Sequence, residues 1–285
     1  MSGAVDVMTG SLRAALADAA ATLTAAGVPS PRHDAEVLAA CSLGVDRREL
    51  WRHDRVGPEF SRYVDRRAAR EPLQHITGEA PFRHLVLRVG PGVFVPRPET
   101  EVVVDAVLER LDGLPAPKVV DLGTGSGAIA LAVATEHPGS EVHAVEADPS
   151  AYAWAERNCA GSGVDLRLGD MADAFHDLDG TVDLVVSNPP YIPVGATIRD
   201  PEVATHDPAA ALWSGVDGLD AMRVVDQVAR RLLRTGGHLV AEHADLQGRS
   251  APALLTGSGG WALVADHQDL AGRDRYLTAV RTADR

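Results

Sequence analysis

The chain has 285 residues, of which 45% are hydrophobic and two are cysteines, so a small disulfide-stapled fold is excluded. Residues 1–90 hold 12 arginines against 11 acidic residues, whereas the remainder holds 15 basic against 29 acidic residues. Because nucleic-acid binding depends on neutralising phosphates, this balance disfavours direct DNA or RNA binding. The amino terminus lacks the pattern of a signal peptide or membrane span, so we expect a cytoplasmic location and no membrane partner.

The amino-terminal part of the chain is predicted to form short helices. Ser30 and Pro31 suit the start of a helix, and Gly27 and Gly44 are typical stops. The arginines between positions 47 and 70 form either a docking face or an ordinary solvated helix surface. We therefore predict a helical substrate-docking domain over residues 1–78.

A strand-like pattern follows from Pro81 to Val95. Two apolar runs flank Gly90-Pro91-Gly92, which predicts a β-hairpin turning at these residues. We assign residues 79–97 to a hairpin linker, and we expect Pro98 to begin the next helix.

From residue 98 to 285 apolar strands alternate with helical stretches, which predicts an α/β domain with a mostly parallel sheet. The last two predicted strands have no helix between them and so predict an antiparallel edge. Residues 192–217 form a long connection rich in Pro, Asp and Gly, for which we expect the role of a substrate lid. The predicted strands are Lys118–Leu122, Glu141–Glu146, Val164–Leu168, Val182–Ser187, His238–Glu242, Trp261–Asp266 and Tyr276–Val280.

A glycine-rich loop follows the first strand of this domain. Glycines let a ligand approach backbone N–H groups, which indicates a nucleotide-like ligand. The segment satisfies the dinucleotide pattern through Gly123, Gly125 and Ala128, with Glu146 placed to hold a ribose, so NAD remains possible. The acid Asp121 that precedes the glycines favours S-adenosyl-L-methionine, which has an ammonium to pair with it.

Other polar residues end neighbouring strands. Asp170 could accept a hydrogen bond from an adenine amino group while Met171 packs on the ring, or the two could be a surface acid beside a core methionine. Glu242 and His243 are either walls of the site or a satisfied polar pair. The histidines lack the spacing of a metal site, so no metal is expected.

The most informative motif is Asn188-Pro189-Pro190-Tyr191, which ends the apolar run of the fourth strand. Asn188 and Pro189 offer carbonyl acceptors to a planar NH₂ group, the prolines fix the backbone, and Tyr191 adds an aromatic face. Open α/β sheets bind ligands at this end of their strands. The turn thus predicts alkylation of a nitrogen, with Asn188, Pro189 and Tyr191 as the catalytic residues.

The chain resembles the peptide-chain release factor glutamine methyltransferases, which are class I S-adenosylmethionine-dependent methyltransferases. The resemblance covers nearly the whole chain. It rests on five segments, namely Glu71–Gln74 with Gly78, Phe94–Glu101, the DLGTGSGAIA loop from Asp121, SNPPYI from Ser187, and Gly215–Leu219. It implies a Rossmann-like sheet preceded by a helical domain, and a cytoplasmic enzyme that methylates the glutamine of the Gly-Gly-Gln motif in class I release factors.

The resemblance also implies roles for individual residues. Family members usually have an aromatic residue where Met171 stands and often Asp where Glu146 stands. The expected donor-binding residues are Asp121, Gly123, Thr124, Gly125, Ser126, Gly127, Glu146, Asp170, Met171 and Asn188. The expected substrate-binding residues are Asn188, Pro189, Pro190, Tyr191, Arg97 and Glu99, the last two at the entrance unless they form a salt-bridged corner.

Four other functions remain open at this point, one of them the NAD-dependent oxidoreductase that the glycine loop alone would allow. The turn could serve a methylase of the adenine amino group in nucleic acid, against which the acidic charge argues. A ribosomal-protein glutamine could be the acceptor. The chain could also be a donor-binding partner protein without catalysis.

Overall fold

The structure is a computed structural model that describes residues 11–283. By internal contacts it divides into a first unit, which takes residues up to Gly78 together with 200–206, and a second unit, which takes Glu79–Arg199 and the chain from Asp207 onward. The helices are α1 Leu12–Ala25, α2 Pro31–Leu43, α3 Phe60–Ala68, α4 Leu73–Thr77, α5 Glu101–Leu111, α6 Ala128–Glu136, α7 Pro149–Cys159, α8 Pro201–His206, α9 Asp220–Leu232 and α10 Ser250–Ser258. The strands are β1 Glu79–Phe82, β2 Leu85–Arg88, β3 Lys118–Leu122, β4 Glu141–Glu146, β5 Asp165–Leu168, β6 Val182–Ser187, β7 Leu233–Glu242, β8 Trp261–Gln268 and β9 Asp274–Arg281.

Helix α2 of the first unit begins and ends where the sequence predicts. Ser30 is the N-cap of α2 and Pro31 its first residue, while Gly44 ends it in the left-handed conformation at φ 68°. Leu23, Leu38 and other apolar side chains of α1, α2 and α3 pack into one buried cluster. This unit therefore has its own hydrophobic core.

An ion-pair cluster ties α8 into the first unit. Arg67 is only 4% exposed, and it donates to Asp34 at 2.7 Å and to Glu202 of α8 at 2.8 Å. Arg70 also pairs with Glu202 at 2.8 Å. Arg67 is thus not part of a surface docking face, because it is buried where it pairs with the buried Asp34 and the partly buried Glu202. The connection 192–217, for which no helix was predicted, contains α8.

The predicted hairpin exists but its position was wrong. Strands β1 and β2 pair antiparallel from Glu79↔Arg88 to Phe82↔Leu85, so the chain turns at Arg83-His84 and not at Gly90-Pro91-Gly92. Arg83 adopts φ 53°, and its guanidinium pairs with Glu136 at 2.6 Å. These contacts hold the turn in place. The segment around Val93 is buried without forming a strand.

The second unit contains the predicted α/β sheet. Among the described residues it has seven strands in the order β5-β4-β3-β6-β7-β9-β8. The first five pair in parallel, and β9 pairs antiparallel with both β7 and β8, which confirms the mostly parallel sheet with an antiparallel edge. Strand β7 begins at Leu233, five residues before the predicted start at His238.

Both faces of the sheet are covered, as the continuous apolar strands predict. Leu184 and Val186 of β6 point to a cluster formed with α5, α6 and the hairpin, whereas Val185 points to a second cluster formed with α9 and α10. The strand ends are consequently the accessible part of the sheet, and ligand-binding residues are expected there.

Candidate active site

The glycine loop and the proline turn begin side by side. Leu122, the last residue of β3, pairs with Ser187, the last residue of β6. The Ser187 hydroxyl donates to the Leu122 carbonyl at 2.7 Å, which joins the two strand ends. Strands β3 and β6 are neighbours in the sheet although β4 and β5 come between them in the chain, so the direction in which strands are added to the sheet reverses here. Such a switch point is where open α/β sheets bind ligands.

The glycine loop has a backbone that side chains would strain. Gly123, Gly125 and Gly127 adopt φ of 72°, 59° and 84°, all in the left-handed region. A Cβ built on Gly123 or Gly125 would meet no atom within 4 Å, whereas one on Gly127 would lie 2.9 Å from Cys159 Sγ. The first two glycines therefore leave open space for a ligand, and the third allows α6 and α7 to pack.

Asp121 lies beneath this loop and is 1% exposed. Its Oδ2 accepts from the Thr124 hydroxyl at 2.6 Å and from the Ala130 amide at 3.2 Å, while Oδ1 has no hydrogen-bond partner among the residues that the structure describes. Burial raises the pKa of Asp121 to about 7. A buried carboxylate with a vacant acceptor suits a cationic ligand such as the ammonium of S-adenosylmethionine.

Glu146 ends β4 on the other side of the loop. Its Oε2 accepts from the Gly125 amide and its Oε1 from the Asp148 amide, each at 2.8 Å. Each carboxylate oxygen keeps a further lone pair, so the two ribose hydroxyls of a donor can still be bound. Ser126 is buried, and its carbonyl accepts from Asn158 at 2.8 Å, which fixes the far side of the loop.

The proline turn is held by side chains from elsewhere in the second unit. Asn188 Nδ2 donates to Thr100 Oγ1 at 3.2 Å. The Tyr191 hydroxyl lies 3.5 Å from Glu242 Oε1, and Gln247 Nε2 donates to the Tyr191 carbonyl at 3.2 Å. Pro189 is buried and Pro190 is half-buried. These contacts stabilise the turn, and Asn188 Oδ1 takes part in none of them.

Glu242 ends β7 and is 2% exposed. Burial is the largest influence on this carboxyl group and raises its pKa to about 7, although the nearby Thr100 hydroxyl and the charge of Arg275 oppose the rise. Burial and the nearby Glu242 carboxylate raise the pKa of the Tyr191 hydroxyl. Glu242 is thus buried beside Tyr191, and its role as a wall of the site stays a prediction. The sequence predicted that Glu242 lies at this edge of the sheet but did not predict its contact with Tyr191.

The two predicted entrance residues differ in exposure. Arg97 donates to the buried carboxylate of Asp207 at 2.8 Å, and its guanidinium lies 5.2 Å from the centre of the Phe94 ring. Glu99 is exposed. Arg97 thus forms the salt-bridged corner that the sequence offered as the alternative. A direct contact of Arg97 or Glu99 with substrate stays a prediction.

Asp170 and Met171, which are predicted to contact the adenine of the donor, both contact other residues of the protein. Asp170 Oδ1 accepts from the Ala172 amide at 2.9 Å and so caps a short turn, while Met171 packs half-buried at the edge of the core. Their contact with adenine stays a prediction. His243 is fully buried and pairs with Asp266 at 2.8 Å, so it forms a satisfied polar pair.

Sequence reasoning did not identify Thr100, Gln247 or Ser187 as residues of the site. Thr100 lies inside the PRPETE segment that carries part of the family resemblance, so this motif was the available signal. Gln247 had no signal in the sequence, because it lies five residues after β7 at the end of a short 3-10 helix that carries no motif. Its contacts arise only when the chain folds back onto the proline turn.

The sheet, the glycine loop with its preceding acid, and the acid at the end of β4 define a class I S-adenosylmethionine-dependent methyltransferase. Residues 14–78 match the family model described as the PrmC N-terminal domain, and residues 85–201 match the methyltransferase small domain. The chain belongs to the release factor glutamine methyltransferase family, as its similarity to curated relatives shows.

The similarity to these relatives extends over almost the full chain. The release factor glutamine methyltransferase of Streptomyces coelicolor is 56% identical over 94% of this chain and 97% of that protein. The enzyme of the same name from Mycolicibacterium smegmatis is 49% identical over 95% and 98%. A 4-amino-L-phenylalanine/4-methylamino-L-phenylalanine methyltransferase of Streptomyces pristinaespiralis is 41% identical over 95% of each chain.

Between residues 11 and 283, no helix combines the length and the apolar character that crossing a bilayer requires.

Proposed function

We propose that this enzyme transfers a methyl group from S-adenosylmethionine to the side-chain amide nitrogen of the glutamine in the Gly-Gly-Gln motif of class I peptide chain release factors. One observation carries the proposal. The glycine loop and the turn from Asn188 to Tyr191 start from the paired residues Leu122 and Ser187, so a donor and a planar amide can be held next to each other.

The residues of the donor side have distinct tasks. Gly123 and Gly125 leave room against the backbone, the vacant oxygen of Asp121 accepts from the donor's ammonium, and Glu146 accepts from its ribose. We assign Thr124, Ser126 and Gly127 to the frame of this loop, and Asp170 and Met171 to the adenine end. When bound, S-adenosylmethionine supplies an electrophilic methyl group on a sulfonium.

The acceptor side must make a poor nucleophile reactive. An amide lone pair is delocalised into its carbonyl, as the barrier of roughly 18–20 kcal/mol to rotation about a peptide bond shows. We assign Asn188 Oδ1 and the Pro189 carbonyl as acceptors for the two amide hydrogens, with Tyr191 against the amide plane. These contacts would aim the nitrogen lone pair at the methyl group, and burial of Pro189 would keep water away.

The proton balance needs no strong base. The nitrogen gains the methyl group and loses one of its two hydrogens as a proton, which leaves through Asn188 or to water at the edge of the site as the nitrogen becomes acidic. This agrees with a turn that has no His or Lys. We assign Arg97, Glu99 and the lid of residues 192–217 to the substrate entrance. The helical domain over residues 1–78 would dock the release factor, and residues 79–97 would link it to the catalytic domain.

Two kinds of relatives bear on the choice of acceptor. The relatives at 56% and 49% identity carry the release factor name, and the match to the PrmC N-terminal domain supports a protein acceptor. The relative at 41% identity is named for a free amino acid with an aromatic amine. The same turn could hold that amine, so 4-amino-L-phenylalanine is the second candidate acceptor.

The test is incubation of the purified enzyme with methyl-labelled donor and each candidate acceptor separately. We expect label in the release factor, on the glutamine of its Gly-Gly-Gln peptide by mass spectrometry, and none when that glutamine is replaced by Ala. Label only in 4-amino-L-phenylalanine, a ribosomal protein or nucleic acid would overturn the proposal.

A further inference from the structure

Gln247 is buried against the proline turn, and both ends of its side-chain amide have partners. The residue is 6% exposed. Its Nε2 donates to the Tyr191 carbonyl and to the Gly218 carbonyl, each at 3.2 Å, and its Oε1 accepts from the Ala244 amide at 3.0 Å. A longer contact of 3.5 Å reaches the Asp217 carbonyl. One carboxamide thus joins the end of the proline turn to a loop that follows it by more than twenty residues.

The partners of this amide fix its orientation. A carboxamide nitrogen only donates hydrogen bonds, and its oxygen only accepts them. If the Gln247 amide turned over, its oxygen would face two carbonyl oxygens and its nitrogen would face the Ala244 N–H group. Gly218 is buried and Tyr191 is half-buried, so water is a poor replacement for the lost donor. The amide of Gln247 therefore has one favourable arrangement, in which it holds both carbonyls.

Gly218 allows the later loop to come this close to the turn. It adopts φ 76°, and a Cβ at this position would lie 2.4 Å from the Tyr191 carbonyl oxygen and 2.8 Å from Gln247 Nε2. The first of these atoms belongs to the backbone, so it cannot give way unless the turn itself moves. Gly218 lies in the segment Gly215–Leu219, which carries part of the family resemblance. The glycine is thus a second, independent sign of a close contact at the Tyr191 carbonyl.

The chain between these contacts is paired with itself. The Ile192 amide donates to the Leu212 carbonyl at 2.8 Å, and the Ile192 carbonyl accepts from the Ser214 amide at 2.9 Å. The Val194 amide donates to the Gly215 carbonyl at 2.8 Å. These bonds join the two ends of the predicted lid. The residues that Gln247 holds flank this pairing on both sides.

We propose that Gln247 is a positioning residue that clamps the end of the proline turn to the loop at Gly218 and so keeps Tyr191 at the acceptor site. This inference rests on the proposed function, which places the Tyr191 ring against the amide plane of the substrate. We assign Gln247 no contact with substrate, because its polar contacts named above are with the backbone of this chain. Loss of the clamp would let the turn shift, which weakens the alignment of the acceptor nitrogen.

The first experiment replaces Gln247 with Met, which keeps the length of the side chain and removes its donor and acceptor. The control is Gln227→Met, at an exposed position of α9. We expect kcat with release factor to fall about 10-fold in Gln247→Met, because two hydrogen bonds to the backbone are lost. Donor Kd should stay within about 2-fold, since the glycine loop lies outside these contacts. Wild-type kcat, or a donor Kd that rises as much as kcat falls, would overturn the inference.

The second experiment perturbs the same contact from the loop. Gly218→Ala places a Cβ against the Tyr191 carbonyl and Gln247, whereas a Cβ on Gly163 at φ 84° meets no atom within 4 Å. Both positions have left-handed backbone, so Gly163→Ala is a control for strain. We expect kcat to fall by at least about 10-fold in Gly218→Ala alone. Equal kcat in the two Ala variants would overturn the inference.

The double variant Gln247→Met with Gly218→Ala tests whether the two residues act through one contact. We expect its loss of kcat to be smaller than the product of the two single losses, because residues that share a contact are not additive. A loss equal to that product would contradict a shared clamp.

A measurement without substrate separates this inference from the proposed function. Hydrogen exchange, followed by NMR in the donor-free enzyme, reports on the amides of Ile192, Val194 and Ser214, with the amides of β3 as an internal reference. We expect exchange at these three amides to be at least about 10-fold faster in Gln247→Met than in wild type and Gln227→Met, without a change in β3. Unchanged exchange would overturn the inference even if release factor is methylated. Faster exchange without any methylation of release factor would overturn only the proposed function.

Discussion

The glycine loop and the proline turn lie at the ends of paired strands, yet different parts of the chain hold them in shape. The contacts of the loop join residues that are closer in sequence, from 3 positions apart for Thr124 and Asp121 to 32 for Ser126 and Asn158. The contacts of the turn span 88 positions from Asn188 to Thr100 and 51 from Tyr191 to Glu242. The proposed donor site is therefore the more local structure, whereas the proposed acceptor site is assembled by tertiary contacts between distant parts of the chain.

Each region also contains one buried carboxyl group whose pKa burial raises to about 7, Asp121 in the loop and Glu242 behind the turn. In the loop, Asp121 Oδ1 has no hydrogen-bond partner among the described residues, and the proposed function pairs it with the ammonium of the donor. Behind the turn, Glu242 Oε1 lies 3.5 Å from the Tyr191 hydroxyl. The two acids are thus similarly buried but lie among different partners.

The largest expected effect separates acceptor function from donor function. Asn188→Ala removes the side-chain acceptor, and we expect the single-turnover rate of methyl transfer to fall by about 10²–10³-fold, as for loss of an orienting hydrogen bond in an active site. Donor Kd should change less than about 3-fold, because the loop does not depend on this side chain. Rapid-quench assays and calorimetry measure the two quantities. Wild-type turnover would refute the role of Asn188.

The second prediction concerns the buried acid of the loop. The pKa of Asp121 rises from 3.8 to about 7 on folding, so its contribution to stability is complete below pH 3.8 and is lost as pH rises through about 7. In the donor-free enzyme we expect this residue to lower the free energy of unfolding by about 2–3 kcal/mol between pH 5 and pH 8. Chemical denaturation across this range should show a smaller decline in Asp121→Asn. An equal decline in both proteins would rule out the assignment.

The third prediction uses two glycines to separate backbone strain from ligand space. Gly125 at φ 59° and Gly163 at φ 84° would both accept a Cβ without meeting any atom within 4 Å. Replacing either with Ala should lower the free energy of unfolding by about 1 kcal/mol, because both take up left-handed backbone. Only Gly125→Ala should also raise donor Kd, by about 10-fold, since its Cβ enters the donor site. Similar donor Kd values in both variants would show that the loop is not the donor site.

The smallest expected effect is that of replacing Tyr191 in the proline turn with Phe. The Tyr191 hydroxyl is 3.5 Å from Glu242, too long for a strong hydrogen bond, and the aromatic ring is kept in Tyr191→Phe. We expect kcat/KM within about 3-fold of wild type in Tyr191→Phe, and a loss of at least about 10-fold in Tyr191→Ala, which removes the ring face. Steady-state kinetics with release factor distinguish them. Equal losses in the two variants would assign the role to the hydroxyl.

Much of this architecture was predictable because its signals are local. Apolar runs and glycines predicted the parallel sheet, its antiparallel edge and the loop after β3, and Ser30 with Gly44 predicted the bounds of α2. The hairpin was placed too late, since apolar alternation alone does not show that the pairing and ion pairs of Arg83 fix the turn. Helix α8 was missed because it has only six residues in a Pro- and Asp-rich segment.

By itself, then, the sequence determined which residues form the strands, which backbone positions need glycine, and which motif offers acceptors to a nitrogen. Only the tertiary structure decided which end of Asn188 is held by Thr100, that Glu242 lies behind it, and that Arg67 is buried between Asp34 and Glu202. The physical reason is that periodicity and backbone preference act over a few residues. Hydrogen-bond direction and charge burial depend on groups that only folding brings together.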